Sequence, residues 1–218
     1  MATIEYFYAA HSAFAYLGSR RFYEIVATSG STIIHRPYDL RRGMLGVGSI
    51  LTRDRTPGHR AYFFGREIER WSEQRDAPIM SRRPTHHDND ITLPNCVLIA
   101  AQVLGAARGA NNVDTLAHAL LQAHWRDDAN LADATTLAAL ARGVGLDPVP
   151  LLAAAATDDI LRIYNANTDA AINRSVFGSP TYVVDGDMFY GQDRLEMVER
   201  AMRLPYRTGW PAPAQSRP

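Results

Sequence analysis

The chain has 218 residues, 46% of them hydrophobic, enough to bury a core of one or two compact units. Its formal net charge is +0, which argues against a phosphate backbone as partner, and its 23 basic side chains are all arginines, which excludes lysine Schiff-base chemistry. The single cysteine, Cys96, excludes an internal disulfide, Cys-x-x-Cys redox catalysis and a cysteine-built zinc site.

The N-terminus has no basic segment followed by an apolar run, and its Ala-rich stretches are broken by Arg, Asp and Asn. Neither a signal peptide nor a membrane span is expected, and the expected location is the cytoplasm. Ile4 to Ala9, rich in aromatics, predicts a strand. Ser12 stands where an N-cap belongs, ahead of Phe14, Leu17, Phe22 and Ile25 at helical spacing. After a Gly-containing turn at 28–31, Thr32 to Arg36 predicts a second strand stopped by Pro37. From Tyr62 to Trp71, Pro94 to Ala107, Val113 to Trp125, Asp133 to Arg142 and Pro148 to Ala156 the pattern is that of helices with one apolar face, separated by boundary signals that include Gly109 to Asn112. Thr157 to Arg174 predicts a longer helix. Thr181 to Val184, the turn Asp185-Gly186, and Met188 to Tyr190 predict a hairpin, and Gln192 to Arg203 a closing amphipathic helix.

The resulting order, β-α-β, a helical block, then α-β-β-α, predicts an α/β fold. It is a thioredoxin-like split domain, 1–38 and 157–204, carrying an all-helical insertion, 39–156, with an extended tail at 205–218. Several other signals have plain explanations. Gly46-Val-Gly48 lacks the third glycine of a dinucleotide loop and reads as a flexible connection. His86 to Asp90 has no known ligand spacing and reads as a solvated connection, without metal. His11 reads as a packing or surface histidine, Cys96 as a buried structural residue, and Trp71 and Trp125 as core or interface residues.

The run Tyr8-Ala-Ala-His-Ser12-Ala-Phe-Ala-Tyr16-Leu17 resembles the Ser-Pro-Tyr-Ser-Tyr-Leu stretch of 2-hydroxychromene-2-carboxylate isomerases and kappa-class glutathione transferases, with Ala13 in place of the proline. The run from Val176 to Gly186 is similar to their cis-proline loop and hairpin, and Gly191 to Leu195 to their glutathione-contacting turn. The resemblance extends from about Ile4 to Ala201. It implies a DsbA/kappa-type thioredoxin fold, glutathione as cofactor, a small aromatic substrate and a homodimer, with no nucleic-acid or membrane partner.

The resemblance also assigns roles. Ser12 would be the catalytic residue, its hydroxyl and the helix start stabilising the glutathione thiolate. Pro180 would follow a cis bond that leaves the Ser179 N–H and C=O free to pair with the tripeptide, the identity of the Ser179 side chain mattering little. Gln192 and Asp193 would hold the γ-glutamyl end, with Arg194 a structural partner. Ser49 falls near a family asparagine, and His59 or Arg60, Arg60 foremost, near a family lysine for the glycine carboxylate. The implied reaction is glutathione-dependent cis–trans isomerisation of 2-hydroxychromene-2-carboxylate to trans-o-hydroxybenzylidenepyruvate. The alternatives are a kappa-like transferase or a glutathione- or peptide-binding module without turnover.

Overall fold

A computed structural model describes residues 2–108 and 112–207 of the chain. Strand β1 (Thr3–Tyr8) alternates with period two. Ile4, Tyr6 and Tyr8 enter the main core while Phe7 enters a smaller one on the opposite face, so both faces of the sheet are covered. Helix α1 (Ala13–Ser29) starts at Ser12 and stops at Gly30, whose φ of 66° supplies the left-handed cap. Strand β2 (Thr32–Pro37) then pairs parallel to β1. The strand was expected to stop before Pro37 but includes it, because β2 lies at the sheet edge, where a residue without an N–H is tolerated.

Strands β3 (Thr181–Val184) and β4 (Asp187–Tyr190) complete a mixed sheet of order β2-β1-β3-β4, with β3 antiparallel to both neighbours. Their turn places Asp185 and Gly186 at φ 49° and 89°, the positive pair that matches the twist of a two-residue hairpin. This is the expected α/β, thioredoxin-like arrangement.

Between β2 and β3 the chain is helical. In order come α2 (Leu40–Gly46), α3 (Pro57–Ala61), a π-helical turn at Tyr62–Arg66, α4 (Glu67–Gln74), α5 (Thr92–Arg108), α6 (Val113–Asp127), α7 (Ala134–Gly143), α8 (Pro148–Ala155) and α9 (Asp158–Asn173). Side-chain caps from Asp133, Asp147 and Thr157 fix the starts of α7, α8 and α9. A single 3-10 turn, Gln192–Arg194, precedes the last helix, α10 (Leu195–Arg203). The connection at Gly46-Val-Gly48, read as flexible, is instead the end of α2 and its C-cap, and a 3-10 turn (Thr52–Asp54) stands between it and α3. Asp39 caps α2 by accepting the Arg42 N–H at 3.0 Å, and Thr56-Pro57 supplies the cap and first-turn proline of α3. The expected helix Tyr62 to Trp71 is real but begins as the π turn and runs on to Gln74. Residues 109–111 of the expected turn and the tail after 207 lie outside the described residues.

One core runs through sheet and helices. Tyr6 stacks on Tyr8 at 4.2 Å and on Tyr182 at 5.3 Å, and the cluster continues through Phe22 to Leu98, Ile99, Leu116 and Leu120. Helix α1 approaches the turn before α10 so closely that a Cβ on Gly18 would lie 2.5 Å from Cβ of Gln192. Among the described residues no helix is long and apolar enough to cross a membrane.

Asn95, fully buried on α5, ties this core to the loop between β1 and α1. Its Oδ1 accepts the Ala10 N–H at 3.0 Å and its Nδ2 donates to the Tyr38 carbonyl at 3.3 Å. Asn95→Leu strands both groups away from water and is expected to cost about 2–4 kcal/mol. Urea denaturation checks this as a lower midpoint at unchanged slope.

Candidate active site

The site forms where the start of α1 meets the loop before β3. Ser12 Oγ accepts the Ala15 N–H at 3.2 Å, as an N-cap does, and donates to the Ser179 carbonyl at 3.1 Å. The Ser179–Pro180 peptide is cis. Ser179 Oγ accepts the Ala9 N–H at 3.2 Å, and the Gly191 N–H donates to the Pro180 carbonyl at 2.9 Å. The Gly178 carbonyl accepts both Tyr38 Oη at 3.0 Å and Thr181 Oγ1 at 2.9 Å. Gly178 itself is required, because any Cβ there would run into the Tyr190 ring.

A cleft of about 1530 Å³ opens over this junction. One wall is aromatic: Phe14 and Phe63 lie 5.0 Å apart, as do Phe63 and Phe64. The π turn lets these two consecutive phenylalanines both line the cleft. Trp125, Tyr164, Phe177 and Tyr190 add further aromatic surface.

Arginines line the rest, and most are occupied. Arg82 pairs with Asp128 at 2.6 Å and Arg83 with Asp88 at 2.5 Å, while Arg60 donates to the carbonyls of Arg53 and Arg55 at 3.1 and 2.6 Å. Arg55 reaches His59 Nε2 at 2.9 Å, yet its Nε is buried with no hydrogen-bond partner. Burial pushes the Tyr190 phenol up and the Arg55 charge partly opposes this, so Tyr190 remains an O–H donor at neutral pH.

The expected residues divide. Ser12, Ser179, Ser49 and Arg60 all line the cleft, Ser49 through a 3.4 Å bond from its Oγ to the Phe177 carbonyl. Pro180 forms the cis bond after Ser179 but does not itself line the cleft. Gln192 does not line it. Its side chain is buried, with Oε1 accepting from Arg75 Nε at 3.2 Å, because the close approach of α1 covers it. Asp193 is exposed, outside the cleft wall, and pairs with Arg194 at 2.8 Å.

Two expectations about Ser179 are corrected. Its carbonyl is not free, since Ser12 donates to it, and its side chain matters, since it anchors Ala9. Its N–H has no intramolecular partner among the described residues, nor do the N–H groups of Ala13 and Phe14 at the helix start.

Histidines form a row beside Ser12. His11 packs on His87 at 4.7 Å, His87 stacks on His124 at 5.2 Å, and His87 Nδ1 meets His124 Nε2 at 3.0 Å. The Trp125 indole donates to the His11 carbonyl at 2.9 Å. The segment 86–90 is therefore not simply solvated, because His87 is half-buried in this row. Burial, then the neighbouring histidines and arginines, lower His11 to about 3 and His87 to about 2, and burial likewise lowers His124. Among the described residues no group of His, Cys, Asp or Glu is arranged to hold a metal ion. Arg55, Phe63, Phe64 and Tyr190 were not singled out from the sequence, and His87 was read only as part of the 86–90 connection. Only the adjacent phenylalanines after Pro57 offered a signal.

A family model described as a DSBA-like thioredoxin domain matches residues 3–203. A 2-hydroxychromene-2-carboxylate isomerase from Sphingobium xenophagum is 24% identical over 205 residues, covering 90% of this chain and 96% of that protein. A solved 2-hydroxychromene-2-carboxylate isomerase superposes with a TM-score of 0.77 at 22% identity, covering 92% of this chain and 94% of that one. The cytosolic disulfide reductase DsbM from Pseudomonas aeruginosa, solved with GSH, gives 0.64 at 16% identity, covering 93% and 100%.

The histidine row makes folding sensitive to acid. His11 is lowered from 6.5 to about 3 in the folded chain. Between these values the unfolded chain binds the extra proton, so stability is full above about pH 6.5 and falls as pH drops through the window. From pH 7 to pH 5 we expect His11 to account for a loss of about 1–2 kcal/mol, discounted because part of its ring opens on the cleft. Denaturation midpoints of wild type and His11→Phe at the two pH values check this, the variant showing the shallower fall.

Proposed function

The chain belongs to the DsbA-like thioredoxin family, and from that premise we propose that it is a glutathione-dependent cis–trans isomerase of an aromatic catabolite, with 2-hydroxychromene-2-carboxylate as substrate and trans-o-hydroxybenzylidenepyruvate as product. The observation that carries this reading is the 3.1 Å bond joining Ser12 to the residue before the cis proline, beneath an aromatic-walled cleft. It brings a hydroxyl donor, free helix-start N–H groups and an unpaired strand-like N–H to one place.

The residues fit an anionic tripeptide thiol. The Ser179 N–H lacks a partner, and Arg55 carries a buried Nε with none, a donor that suits a carboxylate. Arg60, expected to take that carboxylate, is already bonded to two backbone carbonyls, so we assign the role to Arg55. Ser49 also lines the cleft, and the exposed carboxylate of Asp193, outside its wall, suits an amine. When bound, glutathione supplies a thiolate that adds reversibly to a conjugated carbon, so that a double bond can rotate as a single bond.

Ser12 does its part by rotation. Turning its hydroxyl from the Ser179 carbonyl toward the cleft provides a donor to an anion and frees that carbonyl for a peptide N–H. Neither His11 nor His87 titrates near neutrality, so neither contributes a fixed positive charge there. The phenylalanine wall holds an aromatic ring and excludes water from the reacting bond.

Ser12→Ala is expected to lower kcat for the isomerisation about 10- to 100-fold while glutathione binds within about threefold of wild type. Ser12→Thr, which keeps hydroxyl and cap, should retain most activity. With labelled glutathione the label should be recovered unconsumed. Stoichiometric consumption points to a transferase, and full activity of Ser12→Ala removes Ser12 from the chemistry.

A further inference from the structure

The histidine row fixes which nitrogen carries each proton. His124 Nδ1 faces the Ala129 carbonyl at 3.2 Å, and a carbonyl only accepts, so Nδ1 holds the hydrogen. In the neutral ring His124 Nε2 is then an acceptor, and at 3.0 Å it takes its hydrogen from His87 Nδ1. That leaves His87 Nε2 with a bare lone pair. It has no partner among the described residues, it is not a buried atom, and His87 lines the cleft.

From this chain of bonds we infer that His87 Nε2 is a dedicated hydrogen-bond acceptor that selects a ligand bearing an aromatic hydroxyl, the group that the proposed product carries and the ring-closed substrate does not. The inference rests on the reading of the cleft as a site for an aromatic ligand, and goes beyond it by naming the feature recognised. The class of group follows from the chemistry of the ring. A neutral imidazole whose other nitrogen already donates offers no hydrogen, so it attracts an O–H and repels a carboxylate. Rings surround it: His11 lies at 4.7 Å on one side, and Trp125 stands edge-on at 5.3 Å. A planar phenol fits that slot better than a branched alcohol.

Burial above all keeps the ring neutral, and the charge around the row adds to it. His11 comes from the loop before α1, His124 from α6, and Arg83 with its partner Asp88 from the segment carrying His87 itself. The two cationic-capable neighbours and Arg83 disfavour protonation, and Asp88 opposes them only in part. His124 acts as a positioning residue: without it, His87 is free to put its hydrogen on Nε2 and present a donor instead.

The test compares trans-2-hydroxycinnamate with its methyl ether, trans-2-methoxycinnamate, two carboxylates differing only in the donor. By calorimetric titration the native protein is expected to bind the hydroxy compound about tenfold more tightly. His87→Phe, which keeps the ring contacts, should abolish the preference, and His124→Phe should weaken it although His87 is intact. Long-range ¹H–¹⁵N spectra of the unliganded protein should show both His87 and His124 neutral with the hydrogen on Nδ1, and a tautomer mixture at His87 in His124→Phe.

Equal binding of the two probes by the native protein, no binding of either, or a preference unchanged in His87→Phe overturns the inference. So does an Nε2-protonated His87 in the spectra, a result that does not depend on either variant folding. A protein that discriminates the probes but does not isomerise with glutathione leaves this inference standing and removes the function proposed above. The reverse pair of results does the opposite.

Discussion

The hydrogen bond from Ser12 to the Ser179 carbonyl joins residues 167 positions apart and closes the molecule around its cleft. Each partner is held from a different direction. Ser12 is fixed by its place as N-cap of α1, and Ser179 by the cis bond to Pro180 and by the Ala9 N–H. The intervening loop is pinned by Asn95 from α5 and by Trp125 from α6. Two of the helices that separate β2 from β3 in the chain thus hold residues 9–12 in the geometry that brings Ser12 against the proline loop. The bonds from Ala9 to Ser179 and from Ala10 to Asn95 are buried, so releasing either leaves a polar group without water, and the loop resists distortion.

The cleft separates its electrostatic work from its apolar work. Guanidinium groups stay charged at any working pH, and all but a few of those around the cleft are tied to carboxylates or carbonyls, which fixes the positive potential in place. His11 and His87 contribute no charge at neutral pH, because burial, then their histidine and arginine neighbours, keeps them neutral. Fixed cations stand at the edge of the cleft and rings along its wall. On the inference drawn above, the His87 lone pair discriminates among aromatic ligands that this surface would merely attract.

Much of the sheet was legible because its signals are local. The aromatic run of β1, the Asp185-Gly186 turn and the Ser12 cap each depend on a few neighbouring residues, and each appears within a residue of where the pattern put it. What escaped depends on pairs distant in sequence. His11, His87 and His124 are unremarkable one by one, and only the packing of α6 against two loops makes a row of them. Arg55 and Arg60 are five apart in an Arg-rich stretch. Which one is left with an unpaired nitrogen is decided by the carbonyls of Arg53, in a 3-10 turn, and of Arg55 just after it, a pairing that no local pattern reveals. Gln192 misled for the opposite reason. Its neighbours match a known motif, yet the bare face of Gly18 lets α1 cover it.

The same geometry bears on where any sulfur chemistry must originate. Cys96 is the only cysteine in the chain, and it is buried in the main core with its thiol pushed up to about 11 by desolvation. It is not among the residues lining the cleft. A thiol so placed is almost wholly protonated at neutral pH and out of reach of a ligand, so it serves as a small apolar side chain. The thioredoxin-type sheet here retains the helix start and the cis-proline loop that favour a thiolate, but supplies no thiol of its own to that place. Ser12 adds a hydroxyl where a nucleophile of the chain would otherwise stand, and a hydroxyl there is useful as a donor to a sulfur brought in by a ligand. The cleft therefore holds no cysteine for a redox couple internal to the protein, and the function proposed above takes its sulfur from a ligand.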